Sequence, residues 1–213
     1  MKNINQNSTS PYSAAFTSGG ILYREINSVL PLIILQDKIN LLNREKLENK
    51  YLSINSEASR KRVLQEIIKR VQSVKDDFWQ LYINVQEDQK RLMLFFLCLD
   101  TYAIIKAFHF DVTLTNWRTL NRAVDIFGYK MKLDEIAGID KYVDSWTDNT
   151  KQKVLTVCIR MLNEAGFTDH NLLVKPQLSS ELSSYFILHD KSWFLEACFL
   201  NEHERKALID IHL

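Results

Sequence analysis

The 213-residue sequence is nearly neutral, with 27 Lys and Arg against 26 Asp and Glu, and 46% of its residues are hydrophobic. That apolar content is enough to build a folded core, which excludes a disordered chain. Only five glycines and three prolines occur, which argues against a β-rich protein and favours helices. The charge is unevenly spread, because residues 1–75 hold 12 basic and 6 acidic side chains. We therefore expect a local basic surface in the N-terminal third.

Polar residues dominate the start of the chain and predict a flexible leader over residues 1–15, without the apolar segment of a secretion signal. Two helical units are predicted after it, residues 16–110 with a central core helix and residues 111–213 with the terminal helices. The three cysteines lie in apolar runs and share no metal-binding spacing. We therefore expect buried free thiols and a cytoplasmic protein.

Hydrophobic periodicity and capping residues predict an almost wholly helical chain. Ser56 is the expected N-cap of a long basic helix, and Gly128 is expected to end a helix that begins at Thr115 or Asn116. Asp100 and Lys106 interrupt the apolar run 92–110, which favours a core helix over a membrane span. The predicted helices cover about 21–35, 38–49, 56–74, 76–82, 87–110, 115–127, 133–143, 148–165, 179–188 and 191–210, with a short strand near 172–175.

A passage of the sequence occurs twice, first at residues 50–71 and again 91 residues later, at 141–162. Self-similarity at a fixed offset predicts one supersecondary unit that is used twice. In both copies a helix and a short helix precede a long capped helix, which is the order of a helix-turn-helix unit. The predicted fold is therefore all-α, a multi-helix domain with two helix-turn-helix-like units. The stretch GFTDHNLLVKP after the second unit would suit a small β-wing.

Basic residues on the two repeated helices are the candidate DNA contacts. Arg62 and Lys69 are seven residues apart, about two helical turns, and Lys153 and Arg160 repeat this relation. Such charges bind phosphate, and Arg can add bidentate contacts to phosphate or guanine. A solvated helix face that binds nothing carries the same residue types, so that interpretation stays open. The candidates are Arg60, Lys61, Arg62, Lys69, Lys151, Lys153 and Arg160.

The sequence gives almost no support for catalytic chemistry. It contains no HExxH, no Gly-rich phosphate loop and no Gly-x-Ser-x-Gly. His109 lies between two phenylalanines and is predicted to be a packed core histidine. We therefore expect no enzyme activity, cofactor, metal site or small-molecule substrate.

Three segments together resemble a known family. The opening FTSGGILYRE at residues 16–25, the basic segment 59–70 and the run 150–166 are similar to the BrxA family, small accessory proteins of bacterial BREX phage-resistance systems. The resemblance spans most of the chain, except that residues after 190 fit it least and receive no role. It brings no catalytic motif. It implies an all-helical cytoplasmic protein that binds double-stranded DNA and acts in phage defence beside a methyltransferase and other BREX components.

Three functions remain open, of which we favour double-stranded DNA binding within a BREX system, with an affinity that falls steeply as salt rises. The second is a protein-interaction scaffold within the defence complex. An exposed apolar patch on residues 76–148, where 12 acidic side chains outnumber 8 basic ones, would favour it. The third is an RNA-binding helical domain, which would prefer RNA at matched salt.

Overall fold

A computed structural model describes residues 10–212 of the chain. Residues 1–9, which form most of the predicted leader, and residue 213 lie outside the described residues. The described residues form helices and one small hairpin, joined by loops, which confirms the predicted all-α class. The helices are α1 Tyr23–Ile33, α2 Lys38–Glu48, α3 Glu57–Gln72, α4 Asp76–Asn84, α5 Glu87–Thr101, α6 Ala103–Ala107, α7 Leu114–Arg118, α8 Ile126–Ile139, α9 Lys141–Asp144, α10 Asp148–Glu164, α11 Ser180–Leu188, α12 Trp193–Ala197 and α13 Glu202–His212.

Helix α5 lies at the centre of the hydrophobic core. Every residue from 92 to 99 is buried, because this helix is apolar on all sides and packs against α3, α4 and α10. The prediction of one continuous core helix to residue 110 is wrong at Tyr102. The extended backbone of Tyr102 (φ −122°, ψ 106°) ends α5, and α6 begins at the next residue. A π-helical turn, Phe108–Thr113, then leads into α7.

No single helix in the part of the chain from residue 10 to 212 is both long and apolar enough to cross a lipid bilayer. Among the described helices, only the pair Glu87–Thr101 and Ala103–Arg118 would reach the necessary length and composition together, and its two members are bent by 108° at the break. The predicted boundary between the two helical units, at residues 110 and 111, falls within Ala103–Arg118. The division into two units stays a prediction.

The helix predicted over residues 115–127 is wrong. Helix α7 ends at Arg118, and α8 begins at Ile126, where the Asp125 carboxylate accepts a hydrogen bond of 2.8 Å from the backbone N–H of Gly128. Gly128 therefore lies in the first turn of α8 and does not end a helix. The segment predicted at 133–143 is divided between α8 and α9. The segment predicted at 191–210 is divided between α12 and α13.

A two-stranded antiparallel hairpin follows α10, as the predicted β-wing requires. Its strands are β1 Thr168–Asp169 and β2 Leu172–Leu173. Leu172 also forms a bridge with Ala123, which connects the hairpin to the segment before α8. Gly166, at φ 78°, allows the chain to leave α10 and enter the hairpin.

One short element connects the two repeated helices. A 3₁₀ turn, Ala15–Ser18, contacts both α3 and α10. Its Phe16 is fully buried and packs against Tyr102, with ring centroids 5.4 Å apart. The N-terminal opening of the chain is therefore the place where the two copies of the repeat approach each other.

Candidate nucleic-acid interface

The two copies of the repeat begin their long helices in the same way. The Ser56 hydroxyl oxygen accepts a hydrogen bond of 3.3 Å from the Ser59 backbone N–H and caps α3. The Thr147 hydroxyl oxygen accepts one of 3.2 Å from the Thr150 N–H and caps α10. Both pairs are related by the offset of 91 residues. The repeat in the sequence is therefore also a repeat in local structure.

The outer face of α3 is an exposed stripe without a carboxylate. Its members recur every three or four residues, which places them on one side of the helix. The buried residues Val63, Leu64, Ile67 and Val71 occupy the opposite side and pack into the core. We call this face the α3 stripe, and its members are Ala58, Arg62, Gln65, Lys69 and Gln72.

The outer face of α10 repeats the arrangement position by position. Each member lies 91 residues after its counterpart, is exposed, and again none is a carboxylate. Its amide, hydroxyl and basic groups are the side-chain types that bind phosphate oxygens and base edges. We call this face the α10 stripe, and its members are Asn149, Lys153, Thr156, Arg160 and Asn163.

Four of the predicted DNA contacts lie on these stripes. Arg62 and Lys153 are exposed and have no ion pair with any residue that the structure describes. The Lys69 ammonium lies 4.6 Å from the centroid of the Tyr102 ring. Arg160 is half-exposed, and its Nε lies 3.3 Å from a carboxylate oxygen of Glu164. All four cations are therefore accessible to an anionic partner.

Two further predicted contacts lie beside the stripes. Lys61 forms an exposed ion pair with Glu57, one turn earlier on α3, with 2.5 Å between the charged atoms. An exposed pair of this kind contributes little and separates readily. Lys151 is partly buried in the first turn of α10.

The structure corrects the prediction for Arg60. Its side chain is buried and donates two hydrogen bonds to backbone carbonyls, of 2.8 Å to Lys46 and 2.7 Å to Ile54. These bonds attach the end of α2 and the following loop to α3. Because its guanidinium is directed into the protein, Arg60 does not contribute to the outer surface. Sequence periodicity missed this role because the acceptors are main-chain atoms.

Sequence reasoning also missed a buried junction between the two helices. Arg70 is fully buried and donates a hydrogen bond of 2.7 Å to the carbonyl of Gly20. Gly20 has φ 66°, and a Cβ atom there would lie 2.9 Å from the Arg160 guanidinium and 3.4 Å from the Met161 side chain. Both helices therefore converge on this glycine. The Gly-Gly pair in the opening was the sequence signal that could have indicated such a close approach.

The family model described as BrxA matches residues 10–190, which is most of the chain. The chain belongs to the BrxA family. Membership associates it with BREX phage-defence systems, as the resemblance implied. The Phe16–Gly20 opening and both stripes lie inside the matched region, so the convergence on Gly20 belongs to the BrxA part of the chain.

A solved structure has the same fold as this BrxA chain. It is the crystal structure of an uncharacterized protein from Magnetospirillum magneticum, with a TM-score of 0.72 and 16% sequence identity. The similarity covers 89% of this chain and 98% of the other. At this identity the likeness shows the fold alone. None of the curated proteins compared with the chain matches it.

The three cysteines and His109 of this BrxA protein are buried in its core. All three cysteines are free and buried, and burial raises the pKa of the Cys98 thiol to about 11. Burial lowers the pKa of His109 to about 4, and its Nε2 lies 2.8 Å from the Ala197 carbonyl. His109 is thus the packed histidine that the sequence predicted. Residues 10–212 contain no group of three His, Cys, Asp or Glu side chains suited to a metal ion.

Proposed function

We propose that this chain is a non-enzymatic, cytoplasmic DNA-binding protein of a BREX defence system, and that it binds double-stranded DNA through the α3 and α10 stripes. The observation that carries the proposal is the match between the stripes. Two exposed helix faces, 91 residues apart, keep basic or uncharged polar groups at four of five equivalent positions and have no carboxylate at any of the five.

The elements around α10 support this use of its surface. Helix α8, the short helix α9, the capped helix α10 and the hairpin β1–β2 follow in the order of a helix-turn-helix unit with a wing. In such units the last helix lies in the major groove. Lys153 and Arg160 are separated by about 10 Å along the helix axis, a spacing that allows each to contact a different phosphate group.

The first experiment measures binding to a random-sequence duplex over about 50 to 200 mM salt. The variant changes Arg62, Lys69, Lys153 and Arg160 to Ala. A control of equal charge changes Lys75, Lys106, Lys130 and Lys206 to Ala, all exposed and outside both stripes. We expect wild type and control to bind and to lose about 100-fold in affinity across this range, as four phosphate contacts predict. The stripe variant should bind far more weakly.

Circular dichroism of each variant first establishes that its helices are intact. If wild type fails to bind at low salt, or if the folded stripe variant binds as tightly as the control, the stripes are not a DNA surface. A duplex RNA competitor at matched salt tests the RNA alternative. If duplex RNA competes more strongly than duplex DNA, the chain is an RNA-binding protein and the DNA proposal is wrong.

One observation favours the scaffold as a second candidate function. Helix α8 exposes several large apolar side chains to solvent, and Phe127 and Met131 are neighbours on its outer face, 71% and 53% exposed. Ile126 at one end of the helix and Ile139 at the other are also exposed. These side chains lie within residues 76–148, the segment where an exposed apolar patch would favour the scaffold. Contiguous exposed apolar surface is typical of protein-interaction sites.

The scaffold is tested by changing Phe127 and Met131 together to Ser in a cell that carries the complete BREX system. We expect the variant to lose co-purification with another BREX component and to keep duplex binding. Unchanged co-purification would remove the α8 face from consideration. Loss of duplex binding as well would indicate a folding defect or a shared surface.

A further inference from the structure

A cavity of about 420 Å³ lies at the side of the molecule, between α7, the segment that follows it and the start of α13. None of the stripe residues lines it. One wall comes from residues 114–122, inside the region that matches the BrxA model. The other comes from residues 199–205, beyond the end of that match at residue 190. The C-terminal segment, to which no role was assigned from the sequence, therefore completes this cavity.

Stacked side chains fix the position of one arginine at the cavity. The Arg122 guanidinium carbon lies 3.4 Å from the centroid of the Trp117 ring. Trp117 stacks in turn on Phe199, with centroids 4.6 Å apart and planes within 12°. Arginine stacked on an aromatic face keeps its N–H groups directed outward in the guanidinium plane. One flat face of Arg122 is covered by Trp117, and the opposite face is turned away from the ring.

Two buried N–H donors on the lining residues have no acceptor within residues 10–212. They are Nη1 of Arg122 and Nε of Arg205. Glu196 accepts from Arg205 at 2.7 Å through another nitrogen and also pairs with Arg118. Arg122 has no carboxylate partner among residues 10–212. Because buried donors in folded proteins normally have an acceptor, these atoms point to an oxygen-bearing ligand.

The backbone is strained on both walls of the cavity. Leu120 has φ 61° and Phe199 has φ 65°, and both line the cavity. Bulky side chains rarely adopt this left-handed conformation, and such outliers cluster at binding sites. The remaining lining is mixed, with apolar Leu114 and Leu200 beside the polar or charged Arg118, Asn201 and Glu202. The cavity thus combines cationic donors with an apolar and aromatic surface.

We propose that this cavity binds a nucleotide. The phosphate oxygens accept hydrogen bonds from Arg122 and Arg205, in the bidentate geometry that guanidinium groups favour. The base packs against the apolar lining, beside the stacked Arg122 and Trp117 side chains, as bases stack on arginine planes and aromatic rings elsewhere. The volume lies within the range of about 300 to 1,000 Å³ that is usual for small-molecule sites.

Calorimetric titration of the full chain with each of the four ribonucleoside 5′-monophosphates, and separately with inorganic phosphate, tests the proposal. We expect at least one nucleotide to bind at a single site, more tightly than phosphate does. Arg122→Gln should weaken that binding by about tenfold or more, because it removes a charge-assisted bond. Arg91→Gln is the matched control, since Arg91 also stacks on an aromatic ring, 4.0 Å from the Tyr23 centroid, but lies outside the cavity.

Arg205→Gln is a second variant in case Arg122→Gln does not fold, and it should weaken binding in the same direction. The stripe variant should bind nucleotide normally, which separates this site from the proposed DNA surface. The proposal is overturned if no nucleotide binds or if phosphate binds as tightly as every nucleotide. It is also overturned if a folded Arg122→Gln or Arg205→Gln protein binds like Arg91→Gln.

Discussion

Helices α3 and α10 present equivalent stripes to solvent but turn different residues inward. In α3, Arg60 and Arg70 are buried and donate hydrogen bonds to main-chain carbonyls. Their counterparts in α10 are Lys151, which is partly buried, and Met161, which packs in the core without a charge. Helix α3 therefore adds buried polar anchors to its apolar packing, whereas α10 is held mainly by apolar packing. The comparison teaches that the outer face is the repeated feature, while each inner face fits its own neighbours.

The largest expected loss of stability comes from replacing Arg70 of α3 with methionine, the residue at the equivalent position of α10. Arg70→Met removes the charge-assisted hydrogen bond to the Gly20 carbonyl and leaves the nearby buried Glu66 without this cation. We expect the free energy of unfolding to fall by about 2 to 3 kcal/mol. Urea unfolding followed by circular dichroism measures it. Unchanged stability would mean that the buried anchors of α3 and the apolar contacts of α10 are interchangeable.

A smaller effect is expected where the two helices meet. Gly20→Ala places a methyl group at φ 66° and against Arg160, whereas Gly166→Ala meets a similar φ of 78° with no atom of residues 10–212 within 4 Å. Each should lose about 1 to 2 kcal/mol because of the left-handed backbone. Only Gly20→Ala should also weaken duplex binding, since Arg160 must move. Equal duplex affinity in both variants would show that the position of Arg160 does not depend on Gly20.

The smallest effect concerns the two N-caps. Ser56→Ala and Thr147→Ala should each lower stability by about 1 kcal/mol, because each removes one hydrogen bond to a first-turn N–H. Thermal unfolding of both single variants measures the two losses. If one cap contributes nothing while the other contributes fully, the two helix starts are not energetically equivalent, despite their matching geometry.

The sequence predicted the local features of the repeat better than its tertiary contacts. Ser56 as a cap and the outward positions of Arg62 and Lys153 follow from short-range spacing, and the structure agrees with both. The break at Tyr102 was not predicted, because apolar residues continue across it and no Gly or Pro marks it. The inward turn of Arg60 depends on carbonyls contributed by other segments, and residue identity does not reveal these. Gly128 was wrongly predicted to end a helix. Its backbone N–H donates to the carboxylate of Asp125, the N-cap of α8, so it lies in the first turn of that helix.

The dependence of duplex affinity on salt tests the central claim most directly, with two half-variants compared side by side. One changes Arg62 and Lys69 to Ala, and the other changes Lys153 and Arg160 to Ala. If both stripes contact phosphates of one duplex, each half-variant should reduce the slope of log affinity against log salt by about 2, since each contact contributes about 0.9. Slopes equal to wild type in both folded half-variants would contradict the account. If only one half-variant has a reduced slope, the stripe changed in the other half-variant does not contact DNA and is a solvated helix face.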